Sequence, residues 1–248
     1  MPLVADILPA DTDLLCERCG YRLNGLPDSG NCPECGTPVA DSTIASPRRL
    51  PAWEAPSVGP VLKRWRLTSL SALFAPSHFF RHLQTRRDDP RSRRFASTHW
   101  LVSSLLLGLS AALHAEWSLG QYPLGHGWST LTTALVALAS AGVTFALFTQ
   151  LTKLVALLTF WEARYWGYRL PRHVVLRALH YLSVHFLPTS LLALLTVAGW
   201  RVALQRGWLT FSDAPVYLYV ISGLVVLAAG YVFGIYVLAM RRIMYANV

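Results

Sequence analysis

Four long apolar stretches follow one another in the second part of the chain and dominate its pattern of hydrophobic positions. Few charged residues interrupt them, so none has the polar side that a helix of a soluble protein turns toward water. Each is at least about 20 residues long, the length that a helix needs to cross roughly 30 Å of hydrocarbon. The pattern predicts an all-α integral membrane protein with four transmembrane helices, at residues 97–117, 131–161, 174–202 and 215–240. The alternative, a soluble all-helical core, is disfavoured.

The basic residues that flank these stretches predict their orientation. They are dense before the first stretch, between the second and third, and after the fourth: Arg81, Arg86, Arg87, Arg91, Arg93, Arg94, Arg164, Arg169, Arg172, Arg241 and Arg242. The loop at residues 119–129 has no Lys or Arg. Because short basic loops remain in the cytosol, we expect both termini to be cytosolic and the protein to lie in the cell membrane. The first residues lack the basic and apolar regions of a signal peptide, so no cleaved export signal is expected.

The segment before the first stretch changes character at residue 61. Residues 41–60 are rich in proline, serine and alanine without periodicity, which is typical of a flexible linker. Residues 61–95 combine aromatic and aliphatic side chains with cations, and Pro76 divides them. Such a composition suits basic amphipathic helices at the membrane interface. We expect these interfacial helices to contact either lipid headgroups or the transmembrane domain at 96–248.

The four cysteines of the chain form two C-x2-C pairs near its start: Cys16, Cys19, Cys32 and Cys35. A glycine follows each pair, and its freedom to adopt positive φ lets backbone N–H groups turn toward the sulfurs. Four thiolates from two such turns close a tetrahedron around Zn²⁺ and leave no position open. The spacing predicts a structural zinc ribbon at residues 13–40, after a disordered tail at 1–12. Iron is one alternative, and disulfides are another, which a reducing cytosol disfavours.

The net charge indicates topology and not nucleic-acid binding. The 248 residues are 53% hydrophobic and 14% charged, with a net charge of +9. Most of the cations flank the apolar stretches, whereas residues 11–40 contain two arginines and five acidic residues. A slightly acidic ribbon does not suit phosphate contacts. We therefore expect no nucleic-acid partner.

Polar residues in the third stretch form a second candidate site. Arg177, His180, His185 and Pro188 lie in or near it, and ionisable groups inside a membrane often line a path for solutes or protons. The other stretches contain no carboxylate at mid-depth, and no internal repeat is visible. Motifs of hydrolases and phosphate-binding loops are also missing, so we expect no enzymatic activity. A small-solute transporter or channel lined by the third stretch is the alternative function.

Small residues in the first and fourth stretches favour close approach between helices. Ser104, Gly108 and Ala112 recur at four-residue spacing, as do Gly230 and Gly234. Such positions let helix backbones pack tightly, within one chain or in a homo-oligomer.

Two sequence strings carry a resemblance to known membrane proteins. The pattern C-x2-C-G-Y-x-L-x-G-L at residues 16–26 and C-P-E-C-G at residues 32–36 resemble the zinc ribbon that begins a group of bacterial multi-spanning membrane proteins. The remainder is similar to the Yip family, whose members often have a Pro-x-x-Phe-Phe-like segment before the first span, here residues 76–80. This resemblance implies membrane organisation or recruitment of a cytosolic protein partner through the ribbon.

Overall fold

The computed structural model describes residue 9 and residues 12–43, 48–85, 90–119 and 129–247. The predicted disordered tail lies outside the described residues, apart from residues 9 and 12. The described ranges contain seven α-helices: α1 (Val61–Phe74), α2 (Pro76–Arg81), α3 (Pro90–Leu119), α4 (Thr130–Tyr165), α5 (Arg172–Leu182), α6 (Phe186–Gln205) and α7 (Ala214–Ile243). In these ranges extended pairing is limited to isolated bridges. The predicted all-α fold is confirmed.

Four helical segments of the structure are long and apolar enough to cross a membrane: Pro90–Leu119, Thr130–Tyr165, Arg172–Gln205 and Ala214–Ile243. Each contains one of the predicted stretches, so the four membrane helices are also confirmed by length and composition. The third segment comprises α5, the 3₁₀ turn Ser183–His185 and α6. Apolar side chains such as Leu138 and Val226 are 63% and 70% exposed. Acyl chains solvate such a surface, whereas water does not.

The chain divides into two compact units. The first unit comprises Met1–Phe95, Thr152–Leu182 and Ile235–Val248, and the second unit comprises Ala96–Leu151 and Ser183–Gly234. The first unit therefore contains the cysteines, α1, α2 and α5. The second unit contains α6 and most of the apolar length of α3, α4 and α7.

Gly108 allows α3 and α4 to approach closely in the second unit. A Cβ atom at Gly108 would lie 2.4 Å from the carbonyl oxygen of Ala137 and 2.8 Å from Cβ of Ala141. The prediction of tight packing holds at this glycine. At Gly230 and Gly234 an added Cβ would meet no described atom within 4 Å, and a homo-oligomer through α7 stays a prediction.

Part of the predicted linker is packed into the first unit. The backbone N–H of Trp53 donates to Thr68 Oγ1 at 2.8 Å, and its indole N–H donates to the carbonyl oxygen of Arg91 at 2.7 Å. The neighbouring Glu54 is 1% exposed. The Pro- and Ser-rich composition of the segment does not predict these contacts, because they are made by only two of its residues, Trp53 and Glu54. Flexibility of residues 41–60 as a whole stays a prediction, since residues 44–47 lie outside the described residues.

Pro76 separates the two helices that precede the first membrane segment. α1 ends at Phe74 and α2 begins at Pro76, which occupies the first helical turn where a missing N–H costs nothing. α2 buries Phe79 and Phe80. α1 leaves Leu62 and Phe74 69% and 77% exposed, which suits the predicted contact with lipid. That contact stays a prediction.

Candidate metal centre

Each cysteine pair forms the same backbone turn. In the first turn the N–H of Gly20 donates to the carbonyl oxygen of Cys16 at 2.8 Å, and in the second Gly36 donates to Cys32 at 2.9 Å. Gly20 and Gly36 have φ angles of +81° and +71°, the left-handed conformation that a side chain disfavours. The predicted role of these glycines in the turns is therefore correct.

The two turns bring all four predicted ligands together. Their Sγ atoms all lie within 4.8 Å of one another. Two of the separations cross between the turns: 3.5 Å from Cys16 to Cys35 and 3.6 Å from Cys19 to Cys32. A tetrahedron with metal–sulfur bonds of about 2.3 Å has edges of about 3.8 Å, whereas a disulfide requires about 2.05 Å. All four cysteines are free thiols, so the geometry fits a metal ion and not the disulfide alternative.

A small apolar core surrounds the sulfurs. Cys16 and Cys32 are buried with Leu23 and Val39, and Leu14 and Leu26 pack against them. Unaided, a unit of this size buries too little apolar surface to be stable. A metal held by all four thiolates would supply the missing folding free energy.

Local groups shift the pKa values of Cys16, Cys19 and Cys35. Burial raises the pKa of Cys16 and of Cys19. The Thr37 side chain, with its hydroxyl oxygen 3.3 Å from Cys35 Sγ, and then the Thr37 backbone N–H lower the pKa of Cys35 to about 6. Cys35 is therefore ionised more readily than Cys16 or Cys19. A bound cation favours ionisation of the remaining thiols as well.

The side chain of Asn247 holds the ribbon to the rest of the first unit. Asn247 is 5% exposed. Its Oδ1 accepts from the N–H of Leu15 at 2.9 Å, and its Nδ2 donates to the carbonyl oxygens of Leu15 at 2.9 Å and Ser42 at 2.8 Å. The side-chain amide of Asn247 thus forms two hydrogen bonds with the backbone of Leu15, which lies 232 positions away in the chain.

Two arginines add to this attachment. Arg169, between α4 and α5, donates to the carbonyl oxygen of Asp13 at 2.8 Å and to Asn247 Oδ1 at 3.2 Å. Arg48 pairs with Glu17 at 2.8 Å and donates to the carbonyl oxygens of Leu83 and Arg242 at 3.2 and 3.1 Å. The ribbon is therefore docked on α7 and on the loop before α5.

A tyrosine ring also packs on the first metal-binding turn. A Cβ atom added at Gly20 would lie 2.6 Å from Cε1 of Tyr245. Tyr245 lies two residues after the end of α7, so the turn that contributes Cys16 and Cys19 contacts the segment that follows this helix. Glycine is required at position 20 because of its positive φ angle and because a Cβ atom would clash with the Tyr245 ring.

The polar residues of the third stretch have different partners in each of the two units. In the first unit, Arg177 lies 2.6 Å from Glu54 Oε2, and the Tyr181 hydroxyl donates to the other carboxylate oxygen. His180 lies 3.0 Å from Ser92 Oγ in the same unit, whereas His185 contacts the Tyr231 hydroxyl in the second unit at 2.7 Å. Glu54 was not among the residues predicted from the sequence. Its signal was that it is the only acidic residue between Asp41 and Asp88, in a segment rich in arginine.

Four sulfurs in a closed set leave no coordination position for a substrate, so a metal held there would stabilise the fold of the ribbon. No protein-family model, no curated protein and no solved structure matches this chain.

Proposed function

We propose that this chain is a non-enzymatic integral membrane protein whose cytosolic zinc ribbon recruits a protein partner or organises the membrane. The observation that carries the proposal is the docking of a four-cysteine centre on chain ends beside membrane-length helices, through Asn247 and Arg169. A metal that holds the ribbon also holds the surface that the ribbon presents. The dense arginines beside these helix ends favour the cytosolic orientation.

Zinc is the metal that this donor set favours. Four thiolates and tetrahedral geometry are typical of structural zinc, which has no redox chemistry that would disturb a fold. Iron binds the same donors, so the two metals are separated by elemental analysis. The closed centre supports a structural role for either.

The first experiment is elemental analysis of the detergent-purified chain beside the double variant Cys16→Ser/Cys35→Ser. One zinc per wild-type chain and none in the variant is the expected result. Asn24→Ala is the control, because Asn24 lies in the ribbon and its hydrogen bonds to Leu14 and Asp13 are exposed, so this variant should keep its zinc. Iron in the wild type would redirect the proposal to electron transfer, and absence of metal would refute it.

Partner recruitment is tested by affinity purification after cross-linking in cells. The wild type and the Asn24→Ala variant should retain a common cytosolic protein that the double cysteine variant loses. Both variants must insert in the membrane to equal levels. Equal recovery from all three chains would refute recruitment through the ribbon.

The transporter alternative has weaker support. A cavity of about 490 Å³ in the second unit is lined by residues of α6 and α7, among them Pro188, Thr189, Ser190 and Tyr231, and by apolar side chains. An apolar lining does not suit a polar solute, and Arg177 is engaged with Glu54 in the first unit. If the chain is a transporter or channel, His185→Ala or Arg177→Ala should abolish solute flux across the membrane in chains that still insert. Unchanged solute flux in both variants would exclude the transporter alternative.

A further inference from the structure

A second polar cavity, of about 680 Å³, lies in the first unit beside the metal centre. Gly36 of the second cysteine turn and the next two residues, Thr37 and Pro38, form part of its wall, and Arg18 of the first turn also lines it. The opposite wall comes from α2 and α7, through Arg81, Arg241 and Arg242. The cavity thus combines the ribbon with the basic ends of two helices.

Its charges are not balanced within the described residues. Arg48 also lines the cavity, but it pairs with Glu17 at 2.8 Å and its side chain is 6% exposed. The remaining cations are four exposed arginines, Arg18, Arg81, Arg241 and Arg242, and the remaining carboxylate is that of Asp41. Among the described residues these four guanidinium groups form no hydrogen bond and no ion pair. The cavity therefore has an excess of about three positive charges and attracts an anion.

The position of the cavity indicates where that anion comes from. Arg241 and Arg242 directly follow the last apolar turn of a membrane-length helix, the level at which lipid headgroups lie. Arg81 closes α2 in the segment with an interfacial composition. Basic pockets at the cytosolic ends of membrane helices suit anionic headgroups.

We propose that this cavity binds the phosphate of an anionic phospholipid headgroup. Guanidinium groups donate paired hydrogen bonds to phosphate oxygens, and four of them from three parts of the chain can surround one phosphate. The bound lipid then links the ribbon to the bilayer. The arginine positions carry this inference whatever metal the cysteines hold, so it can fail separately from the zinc proposal.

The test uses the full chain in nonionic detergent and native mass spectrometry. Short-chain phosphatidylglycerol is titrated beside short-chain phosphatidylcholine, which has no net charge. The variants are Arg241→Gln/Arg242→Gln and, on a separate helix, Arg81→Gln. The control is Arg206→Gln, since Arg206 is exposed and lies outside the cavity. Metal content is measured in every variant to show that the ribbon remains folded.

The wild type should prefer phosphatidylglycerol. Loss of about 1 kcal/mol per arginine corresponds to roughly five-fold weaker binding for Arg81→Gln and about 25-fold for the double variant. The Arg206→Gln variant should bind like the wild type. If the double variant loses its metal, Arg81→Gln decides.

Two results would overturn the proposal. Equal binding of both lipids, or equal affinity of the wild type and the cavity variants, would show that these arginines do not select an anionic headgroup. Inorganic phosphate that binds as tightly as phosphatidylglycerol would show that the ligand is a soluble anion and not a lipid. A preference for phosphatidylglycerol that phosphate displaces only at far higher concentration supports the lipid.

Discussion

The attachment of the ribbon through Asn247 can be tested with one substitution. Asn247→Ala removes three hydrogen bonds to the backbone of Leu15 and Ser42, at 2.8 to 2.9 Å. A buried hydrogen bond contributes a net 0.5–1.5 kcal/mol or so, so the three together stabilise the docked ribbon by about 1.5–4.5 kcal/mol. Since 1.4 kcal/mol is a factor of ten, the population of the undocked state should rise roughly 10- to 1,000-fold.

Hydrogen exchange of the backbone amides reads this population directly, because exchange reports local opening. The N–H of Leu15 should lose protection by that factor in Asn247→Ala while the zinc stays bound. Asn24→Ala is the matched control: its side chain accepts from the Leu14 N–H at 2.8 Å and donates to Asp13 Oδ1 at 2.7 Å, and both hydrogen bonds are exposed. That variant should speed exchange at Leu15 by less than about five-fold, the effect of roughly 1 kcal/mol.

Asn247→Asp distinguishes the acceptor role of the side chain from its donor role. The carboxylate keeps an acceptor for Leu15 and for Arg169, but it turns an oxygen toward the carbonyl oxygens of Leu15 and Ser42. Buried acceptors that face each other are left unsatisfied, so this variant should open at least as readily as Asn247→Ala. Exchange at Leu15 within three-fold of wild type in both variants would refute the docking argument.

Three further predictions follow from contacts of the first unit. Glu54→Ala leaves the buried Arg177 without its carboxylate partner and should destabilise the protein by about 3–5 kcal/mol. The double variant Glu54→Gln/Arg177→Met should recover part of this lost stability, as measured by thermal unfolding. Gly20→Ala should lower the midpoint of thermal unfolding more than Gly25→Ala does, because both glycines have φ of +81° but only Gly20 faces Tyr245. Equal decreases of the midpoint would contradict the packing of Tyr245 on Gly20. Acidification should release the metal, because protons compete for the thiolates, and a dye-based zinc assay follows that release.

The metal centre could be predicted because its information is local. The two C-x2-C pairs and their glycines specify turns of four or five residues, and each turn closes through its own backbone hydrogen bonds. The membrane helices were predictable for a similar reason, since hydrocarbon thickness imposes a length and a composition on each segment. Neither inference requires knowledge of which distant residues meet.

The docking of the ribbon depends on residues that are distant in the sequence, and almost no sequence pattern predicts it. Asn247 is a single polar residue near the end of the chain, and Arg169 looked like one of many topology-setting cations. Glu54 was assigned to a linker because the composition around it is that of a linker. Contacts between residues more than 100 positions apart follow from the fold, and no periodicity or spacing records them.

The buried pair of Glu54 and Arg177 bears on how the ribbon is held. Such a pair adds little stability relative to an apolar pair, but separating its charges is costly. Glu54 accepts from Arg177 and Tyr181, one turn apart on α5, and its backbone oxygen accepts from Arg91 at 2.8 Å. Residue 54 is thereby fixed on α5, while residue 42 is fixed by Asn247. Because residues 42 and 54 are both held within the first unit, we expect a change in the metal centre to act on α5 and α7.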